Sequence, residues 1–430
     1  MKSGNLEIET VWEFLQSGYV LSSRDSDCWV GWGRSVQASS PLSGCFSLYT
    51  PDFFLKDPAP WRLFPHSFKL SRAELKAILL SFLLSLESER LLSLESESVP
   101  APSIVWKAAE FQEFRAAFQD LQHQFEKGTL RKAVPIVLEE GEFRGEPVGS
   151  SKAVLIYRAQ LLSQLLRSTD GFPLYLYGCW DAEGGILGAT PEILFEQNEP
   201  GQLSTVAIAG TRSRLQQGAA APGTAAAPGP APAPGTAAAP GTAAAPGTSM
   251  WPGQLRSQLS SRLISLMEDS KELEEHRIVI EGICDSLREL GGEVKVGTTR
   301  ELELPTLVHL MTPVTLVFQP DTEFNFEEIV NVLHPTPALG AFPKAAGQLW
   351  LENDLNRKVN QKRWRFGAPF GASWGVGEGL CVVAIRNLQW QGSHYRIGAG
   401  CGVVPASQLD RECDELWAKI RSVKKSFDIL

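Results

Sequence analysis

The sequence predicts a fold that combines α-helices with β-strands, in one large domain or two ordinary ones. Its 430 residues are 43% hydrophobic and include 12 Trp and 21 Phe, which is enough for a packed core. Short aromatic and β-branched segments typical of strands occur along the same chain as segments with helical spacing. No apolar run reaches membrane-spanning length, so no membrane partner is expected.

Residues 1–105 are predicted to form an N-terminal region that completes the fold. The short aromatic segments VWEFL, CWVGWG and CFSLYT are predicted strands. The following segment, LSRAELKAILLSFLLSLESERLLSLESES, has helical spacing, and Ser71 is a candidate for its N-cap. Nothing in this region indicates chemistry.

Residues 106–430 are predicted to form a second, larger region. Helices are predicted over FQEFRAAFQDLQHQFEKG, which ends at Gly128, over LIYRAQLLSQLLRS and over the closing segment RECDELWAKIRSVKKSF. Strands are predicted over LRKAVPIVLEE, PLYLYGCW, GILGATPEILFEQ and LSTVAIAGTRSR. GLCVVAIRNLQW and HYRIGAGCGVVPA are expected to pair with each other as strands.

A low-complexity insertion at residues 216–249 interrupts the second region. It is built from PGTAAA repeats and has no charged residue. Such a segment has too little apolar surface to offset the entropy of ordering. Strand and helix segments occur on both sides of it, so we predict a flexible surface loop and not a domain boundary.

Charge and cysteine usage narrow the class of protein. The net charge of −9 argues against a nucleic-acid partner, because nucleic-acid binders usually present a basic face. The seven cysteines are scattered and contain no CxxC motif, so reduced thiols in a cytoplasmic protein are expected. The start, MKSGNLEIETVWEFL, has no apolar core after a basic residue, and no secretory signal is expected.

Two pairs of glutamates are candidates for a metal site. Glu272 and Glu275, like Glu412 and Glu415, are three residues apart in predicted helices and share a face of each helix. If the helices face each other, the four carboxylates offer oxygen ligands suited to Mg²⁺, some of them acting through water. Either pair alone is more often a solvated helix face, so that alternative stays open.

Two further residues are candidates for acid–base chemistry. Glu192, in ATPEILF, follows a turn proline and borders an apolar strand, where desolvation would raise the pKa of its carboxyl and suit a general acid. Lys132, in LRKAVPIV, opens an apolar strand, where burial would lower its pKa and suit a general base. The alternatives are an edge-strand glutamate and a strand-end lysine that both face water.

A third group of residues is suited to binding anions. Arg386, Arg396 and Lys419 are cationic, and the glycine-rich segment GAGCG at 398–402 lets backbone N–H groups approach an anion closely. Together they suggest a wall that binds carboxylates. The glycine segment alone is weak evidence, because glycines also mark tight turns.

The order of these motifs carries more information than any single one. Lys132 is followed along the chain by ATPE, AIAGTR, KELEEH, VHLMTP, HPTPALGAFPK, VVAIR, GAGCGVVPAS and ECDELWAK. In this order the chain resembles the chorismate-utilising enzyme family over residues 109–427. The resemblance implies an α+β fold like that of anthranilate synthase component I. Two large antiparallel sheets pack together in it, with helices outside and the active site in the cleft between them.

The resemblance also implies a role for each matched residue. The expected metal ligands for Mg²⁺ are Glu275 and Glu415, with Glu272 and Glu412 acting through water, and the ion would clamp the ring carboxylate of chorismate. The residues expected to bind the substrate are Arg386, Lys419 and the backbone at Gly400 and Gly402 for its carboxylates, Gly210 and Thr211 beside its ring hydroxyl, and His309 in the cleft wall.

Two features distinguish members of the family that use water from those that use ammonia. Lys132 matches a lysine of the water-using members, and HPTPALGAFPK resembles the isochorismate-type form of its segment. We therefore predict isochorismate synthase activity, in which Lys132 removes a proton from water attacking C2 and Glu192 protonates the hydroxyl leaving C4. Salicylate synthase and a catalytically silent chorismate-binding protein are the alternatives.

The predicted activity carries expectations about partners and pathway. No glutamine amidotransferase subunit is expected, and the protein would be a monomer or a homodimer. Its product would feed menaquinone or phylloquinone biosynthesis, siderophore biosynthesis or salicylate, and the sequence does not decide among them.

Overall fold

The structure is a computed structural model and describes residue 6 and residues 8–23, 27–92, 103–144, 151–214 and 265–430. The predicted insertion at 216–249 lies outside the described residues. Within the described ranges, no helix is long and apolar enough to cross a membrane. All seven cysteines are described, and none of them forms a disulfide.

Helices are interspersed among runs of strands along the described ranges. The helices are α1 (Ile8–Gln16), α2 (Arg72–Leu92), α3 (Gln112–Glu126), α4 (Lys152–Ser168), α5 (Ser270–Glu289), α6 (Phe326–Leu333), α7 (Lys344–Glu352), α8 (Asp354–Gln361) and α9 (Leu409–Phe427), with a 3₁₀ turn at Leu266–Glu268. The strands are β1 (Gly18–Ser22), β2 (Asp27–Trp32), β3 (Val36–Ala38), β4 (Ser47–Tyr49), β5 (Trp61–Leu63), β6 (His66–Ser71), β7 (Ser103–Lys107), β8 (Lys132–Ala133), β9 (Ile136–Arg144), β10 (Tyr175–Trp180), β11 (Gly184–Thr190), β12 (Ile193–Glu199), β13 (Gln202–Ser213), β14 (Glu293–Val296), β15 (Arg300–Glu303), β16 (Leu307–Val317), β17 (Ala341–Phe342), β18 (Pro369–Gly375), β19 (Glu378–Val383), β20 (Asn387–Gln391) and β21 (His394–Gly400).

Two large antiparallel sheets organise the described part of the chain. The first has the order β6-β2-β1-β10-β11-β20-β21-β9-β7, and the second has the order β14-β16-β13-β12-β19-β18-β4-β5-β3, with β15 beside β16. Their side chains meet in the core: the rings of Tyr177 and Phe370 are 5.1 Å apart between centroids, and those of Trp29 and Trp374 are 6.0 Å apart. This confirms the predicted α+β class with two large antiparallel sheets.

Helices cover the sheets, and one of them connects both. Helix α1 packs on β1 and β2 of the first sheet, and α5 packs on β13 and β16 of the second. Helix α9 contacts β21 of the first sheet and β13 of the second. The C-terminal helix therefore lies where a side chain can face both sheets.

Two neighbouring chain segments pass from one sheet to the other at the same place. Strand β11 pairs with β20 in the first sheet, while their continuations β12 and β19 pair in the second. The crossing points are Pro191–Glu192 on one segment and Ala384–Arg386 on the other, and the Val383 N–H donates to the Glu192 carbonyl at 3.0 Å. Glu192 and Arg386 are thus brought to the junction of the two sheets by the topology.

Four sequence-based assignments of strands are corrected by the structure, and one of them, GILGATPEILFEQ, is divided between β11 of the first sheet and β12 of the second. VWEFL is part of helix α1, because Val11, Phe14 and Leu15 have the i, i+3, i+4 spacing that buries one helix face. GLCVVAIRNLQW spans two strands in different sheets, and only β20 pairs with β21. LRKAVPIVLEE is divided at Pro135, where a proline cannot donate to a ladder.

The predicted cap at Ser71 is confirmed. Ser71 Oγ accepts a hydrogen bond from the Glu74 N–H at 3.1 Å, and the Glu74 carboxylate accepts one from the Ser71 N–H at 2.7 Å. This reciprocal pair is a capping box, which satisfies N–H groups that have no partner within the helix. The local sequence therefore defines the start of α2.

Candidate active site

A small cavity lies where the two sheets meet helices α5 and α9. Its volume is about 60 Å³, whereas clefts of about 370 and 440 Å³ elsewhere contain none of the predicted site residues. The predicted residues that line the small cavity are Glu192, Thr211, Glu275, His309, Arg386, Gly400, Gly402 and Lys419. The structure thus brings together residues that are up to 227 positions apart, from 192 to 419.

Lys132 is buried at the edge of this cavity. It lies in the two-residue strand β8, which pairs with β17, and its Nζ donates to the Pro337 carbonyl at 2.7 Å. The same Nζ is 3.6 Å from Glu275 Oε1. Burial lowers the pKa of Lys132, although Glu275 opposes this effect. Burial therefore favours the neutral amine of Lys132 more than a surface position would, and a general base must be neutral.

The two features that predict the use of water as nucleophile contact each other. The segment His334–Lys344 supplies both β17 and the Pro337 carbonyl that accepts from Lys132. The Val134 N–H also donates to the Gly340 carbonyl at 2.9 Å. This segment therefore forms the wall that buries the lysine and orients its amine.

Glu192 lies at the junction of the sheets and is also buried. Its backbone N–H donates to Thr190 Oγ1 at 3.1 Å, which fixes the turn between β11 and β12. Burial raises the pKa of Glu192 to about 7, and the cationic groups of Lys132 and Lys419 oppose that rise without cancelling it. The carboxyl can therefore hold a proton near neutral pH, as a general acid must.

The two predicted glutamate pairs face each other from α5 and α9, around a lysine. Lys271 Nζ is 3.2 Å from Glu272 Oε1, 3.0 Å from Glu275 Oε2 and 3.1 Å from Glu412 Oε1. Asp269 caps α5, accepting from the N–H groups of Lys271 and Glu272. The helix start thereby fixes the first turn, from which these side chains extend.

The charges in this cluster affect one another strongly. Burial by itself would lower the pKa of Lys271, but the surrounding carboxylates, Glu275 foremost, raise it overall. Burial would likewise raise the pKa of Glu275, but Lys271 and Lys132 lower it overall. Glu415 pairs instead with Lys419, whose Nζ is 2.7 Å from Glu415 Oε1 and donates to the Gly400 carbonyl at 2.6 Å.

The donor atoms of the cluster fit a hard cation in their chemistry. A positive charge already lies among carboxylate oxygens, and Glu412 Oε2 is buried without a hydrogen-bond partner. Gly402 leaves room for Glu275, because a Cβ there would lie 2.0 Å from Glu275 Oε1. As placed, no three His, Cys, Asp or Glu side chains of the described ranges are arranged to hold a metal ion, and their oxygens face Lys271 instead.

A chain of hydrogen bonds orients Arg386 beside the cavity. Arg386 Nη2 is 2.5 Å from His309 Nε2, and His309 Nδ1 is 3.1 Å from the Gly210 carbonyl and 3.2 Å from Thr211 Oγ1. A guanidinium can only donate, so Nε2 accepts and Nδ1 carries the proton that the Gly210 carbonyl accepts. Burial, with Arg386 next in importance, lowers the pKa of His309 and keeps the ring neutral.

Gly210 and Thr211 connect this chain to the carboxylate cluster. Gly210 adopts a positive φ of 74°, which a glycine accepts without strain. The Thr211 N–H then donates to Glu272 Oε2 at 2.8 Å. The turn at AIAGTR therefore supports a cluster carboxylate as well as His309.

Part of the chain is similar in sequence to known chorismate-binding enzymes. Residues 248–427 match the family model described as chorismate binding enzyme. The chain is 32% identical to the isochorismate synthase EntC of Escherichia coli (strain K12) over 167 residues, which cover 38% of this chain and 41% of EntC. The predicted resemblance to chorismate-utilising enzymes is confirmed.

Solved structures show the same fold over nearly the whole chain. A putative 2,3-dihydroxybenzoate-specific isochorismate synthase, DhbC from Bacillus anthracis, has a TM-score of 0.65 at 17% identity, covering 98% of this chain and 100% of DhbC. Anthranilate synthase component I from Streptococcus pneumoniae TIGR4 has a TM-score of 0.54 at 14% identity, covering 97% of this chain and 85% of that protein. These likenesses extend the shared fold to the N-terminal residues, beyond the sequence match.

The structure changes the expected set of site residues at two positions. Arg396 does not line the cavity; it stacks on Trp364 at 3.9 Å and pairs with Glu140 at 2.8 Å. Lys271 was missed, although its i, i+4 spacing to Glu275 was the signal that could have revealed it. His276, next to Glu275, contacts Thr312 Oγ1 at 2.7 Å through Nε2 and has a structural role.

Proposed function

We propose that this chain is an isochorismate synthase that acts on chorismate with a bound Mg²⁺. The observation that carries the proposal is a buried glutamate that lines one small cavity and a buried lysine at its edge, with pKa values shifted in opposite directions. The pKa of Lys132 is lowered, as a base at neutral pH needs, and that of Glu192 is raised to about 7, as an acid needs. The matched relative EntC bears the name of this activity.

The reaction requires one proton to be removed and one to be delivered. Neutral Lys132 takes a proton from a water molecule as its oxygen bonds to C2 of the ring. The double bonds shift, the C4–oxygen bond breaks, and protonated Glu192 gives its proton to the departing hydroxyl. The product has the composition of the substrate, and the enolpyruvyl arm remains attached.

Cationic groups and glycine backbone are proposed to bind the carboxylates of the substrate. Arg386 and Lys419 line the cavity together with Gly400 and Gly402, whose backbone would contribute N–H donors. Charge-assisted hydrogen bonds of this kind are stronger than neutral ones and orient a planar carboxylate. They would hold the ring so that C2 and C4 face the base and the acid.

The carboxylates of α5 and α9 are proposed to bind the metal ion. Glu275 and Glu415 would be direct ligands, with Glu272 and Glu412 holding it through water. When bound, Mg²⁺ supplies positive charge that fixes the ring carboxylate, and so positions the ring. The protein contributes by keeping these oxygens close together in a site from which bulk water is largely excluded.

The cavity must enlarge when the substrate binds. Its volume of about 60 Å³ is far below the roughly 300 Å³ or more of pockets that hold small molecules. One contact that closes it is the ion pair of Lys419 with Glu415. Lys419 loses this partner in part when it turns toward the substrate, whereas Arg386 stays oriented by His309.

A mass-resolved product assay tests the proposed function. Chorismate is incubated with the protein and Mg²⁺, with and without EDTA, in the absence of ammonia. We expect a metal-dependent product of unchanged mass and no free pyruvate. Pyruvate with salicylate would instead identify a salicylate synthase, and no turnover even with ammonia would identify a silent chorismate-binding protein.

A further inference from the structure

Lys271 has surroundings that an ordinary helix lysine lacks. Its ammonium contacts carboxylates on two helices, with all three nitrogen–oxygen distances between 3.0 and 3.2 Å. Only 17% of its side chain is exposed, and those of Glu275 and Glu412 are exposed by 7% and 3%. A lysine on a solvated face would extend into water, so this one has a specific role.

We propose that Lys271 is an internal counterion that occupies the divalent-cation position of the cluster until a metal ion displaces it. The inference rests on the proposed function in that it assigns the same carboxylates to the metal. It goes beyond that function because it states what holds the site together without metal. It also requires the lysine and the metal to compete for the same oxygens.

A positive charge at its centre stabilises the assembled cluster. Glu272 and Glu275 project from one helix and Glu412 from another, and all three are buried. Unpaired carboxylates removed from water repel one another strongly and lack solvation. Lys271 neutralises one charge and forms ion pairs with carboxylates of both helices, which keeps α5 and α9 at the spacing that a cation needs.

The same lysine is able to leave. Of the side chains in this contact group it is the most exposed, at 17% against 12% for Glu272 and less for the others. Its four-carbon stem is flexible, and an ammonium is well solvated once it reaches water. A divalent cation brings twice the charge to the same oxygens and would favour the outward position of the lysine.

Glu415 is the one member of the cluster that Lys271 does not contact in the structure. It is held at 2.7 Å by Lys419, a proposed substrate-binding residue. Metal binding would therefore draw Glu415 from Lys419 while it releases Lys271 from the other three carboxylates. Metal loading and the release of Lys419 for the substrate would then be one coupled event.

The test compares Lys271→Met with Lys424→Met in the full chain. Lys424 is a matched control, because it forms an ion pair with buried Glu139 at 2.9 Å and is not in contact with the cluster. Thermal unfolding is followed in EDTA, in MgCl₂, and in NaCl of equal ionic strength, and Mg²⁺ binding is measured by isothermal titration calorimetry. None of these measurements requires catalysis.

We expect metal-free Lys271→Met to unfold at a temperature about 5 °C or more below wild type, because its carboxylates lose their counterion. MgCl₂ should raise its unfolding temperature more than that of wild type, and NaCl should not. Calorimetry should show roughly tenfold tighter Mg²⁺ binding, since no ammonium competes. Lys424→Met should show the wild-type response to Mg²⁺.

The opposite results would overturn the inference. They are an Mg²⁺-induced shift in Lys271→Met no larger than in wild type, or Mg²⁺ binding unchanged or weaker. If Lys271→Met does not fold without metal, Lys271→Arg keeps the charge and should fold. Failure of both variants to respond to Mg²⁺ would make Lys271 a packing residue. Wild-type turnover of chorismate is scored separately, so the proposed activity and the counterion role can fail independently.

Discussion

Glu192 and Glu275 are two buried carboxyls on the walls of one cavity, and their pKa values are shifted in opposite directions. Glu192, at the junction of the sheets, has a pKa raised to about 7 by burial. Glu275, on the first turns of α5, has a pKa below its usual value, although burial acts on it as well. Glu192 can thus hold a proton near neutral pH, whereas Glu275 keeps its negative charge.

The pKa values of Glu192 and Glu275 differ because only Glu275 is in direct contact with cations. Lys271 Nζ lies 3.0 Å from Glu275, and Lys132 Nζ lies 3.6 Å from it, so its charged form is stabilised in place. The described contacts give Glu192 no ion pair, and cationic groups act on it only from a distance. Burial alone therefore does not decide the charge of a carboxyl, and neither does one adjacent ammonium. Glu272 lies 3.2 Å from Lys271 as well, yet burial and the neighbouring Glu275 carboxylate raise its pKa to about 7.

The largest expected effect is on catalysis, at the base and acid. Lys132→Gln and Glu192→Gln should each lower kcat for isochorismate formation by about 10³-fold, because general acid–base catalysis typically contributes 10²–10⁴-fold. Glu196→Gln, on strand β12 that follows Glu192, is the control and should keep wild-type kcat. The measurement is steady-state formation of isochorismate. Full activity in both catalytic variants would remove the proposed mechanism.

The second prediction concerns Glu275 and the free energy of unfolding. Glu275→Gln should lower the free energy of unfolding by about 3–5 kcal/mol, because it removes the carboxylate that compensates buried Lys132 and Lys271. Urea unfolding in EDTA measures the change without metal. The adjacent Glu274→Gln is the control: its ion pair with Arg277 is exposed, and we expect a change below about 1 kcal/mol. Equal effects of the two variants would contradict the assigned role of Glu275.

The third prediction concerns Glu192, where removal of the carboxyl should stabilise the protein instead of destabilising it. Folded Glu192 keeps its proton up to about pH 7, whereas its ordinary pKa is 4.5, so stability falls as pH rises through this range. Glu192→Gln removes that penalty and should stabilise the protein by about 3 kcal/mol at pH 8 and by less than about 1 kcal/mol at pH 5. Urea unfolding at both values checks this. A variant less stable than wild type at pH 8 would show that the Glu192 carboxylate is well compensated.

Local sequence signals accounted for the fold wherever a segment has a regular pattern of its own. The capping box at Ser71 and the closing helix α9 are examples, since both depend on neighbouring residues only. Helix α1 was assigned wrongly because a nine-residue segment with two aromatics satisfies strand and helix patterns alike. The transfer of β19 and β20 between sheets depends on pairing with β11 and β12, which no local pattern reveals.

The sequence predicted which residues lie together in the candidate site, but it did not predict how their side chains contact one another. The motif order placed Lys132, Glu192 and the four glutamates in one site, and all of them lie in or beside the cavity. The sequence did not reveal that Lys271 lies at the centre of the cluster, because which oxygens a flexible lysine contacts depends on the distance between two helices. It also included Arg396, whose side chain is held by Trp364 instead.

The smallest expected effect concerns Arg386, one of the cations that act on Glu192 from a distance. Arg386 is oriented by its contact with neutral His309, whose Nε2 accepts at 2.5 Å. His309→Leu removes the acceptor, so Arg386 should bind the substrate carboxylate less well, and KM for chorismate should rise about tenfold with little change in kcat. His309→Gln offers a carbonyl oxygen as acceptor and should recover most of this loss. If both variants lower kcat equally and leave KM unchanged, then His309 acts in the chemical step and does not position Arg386.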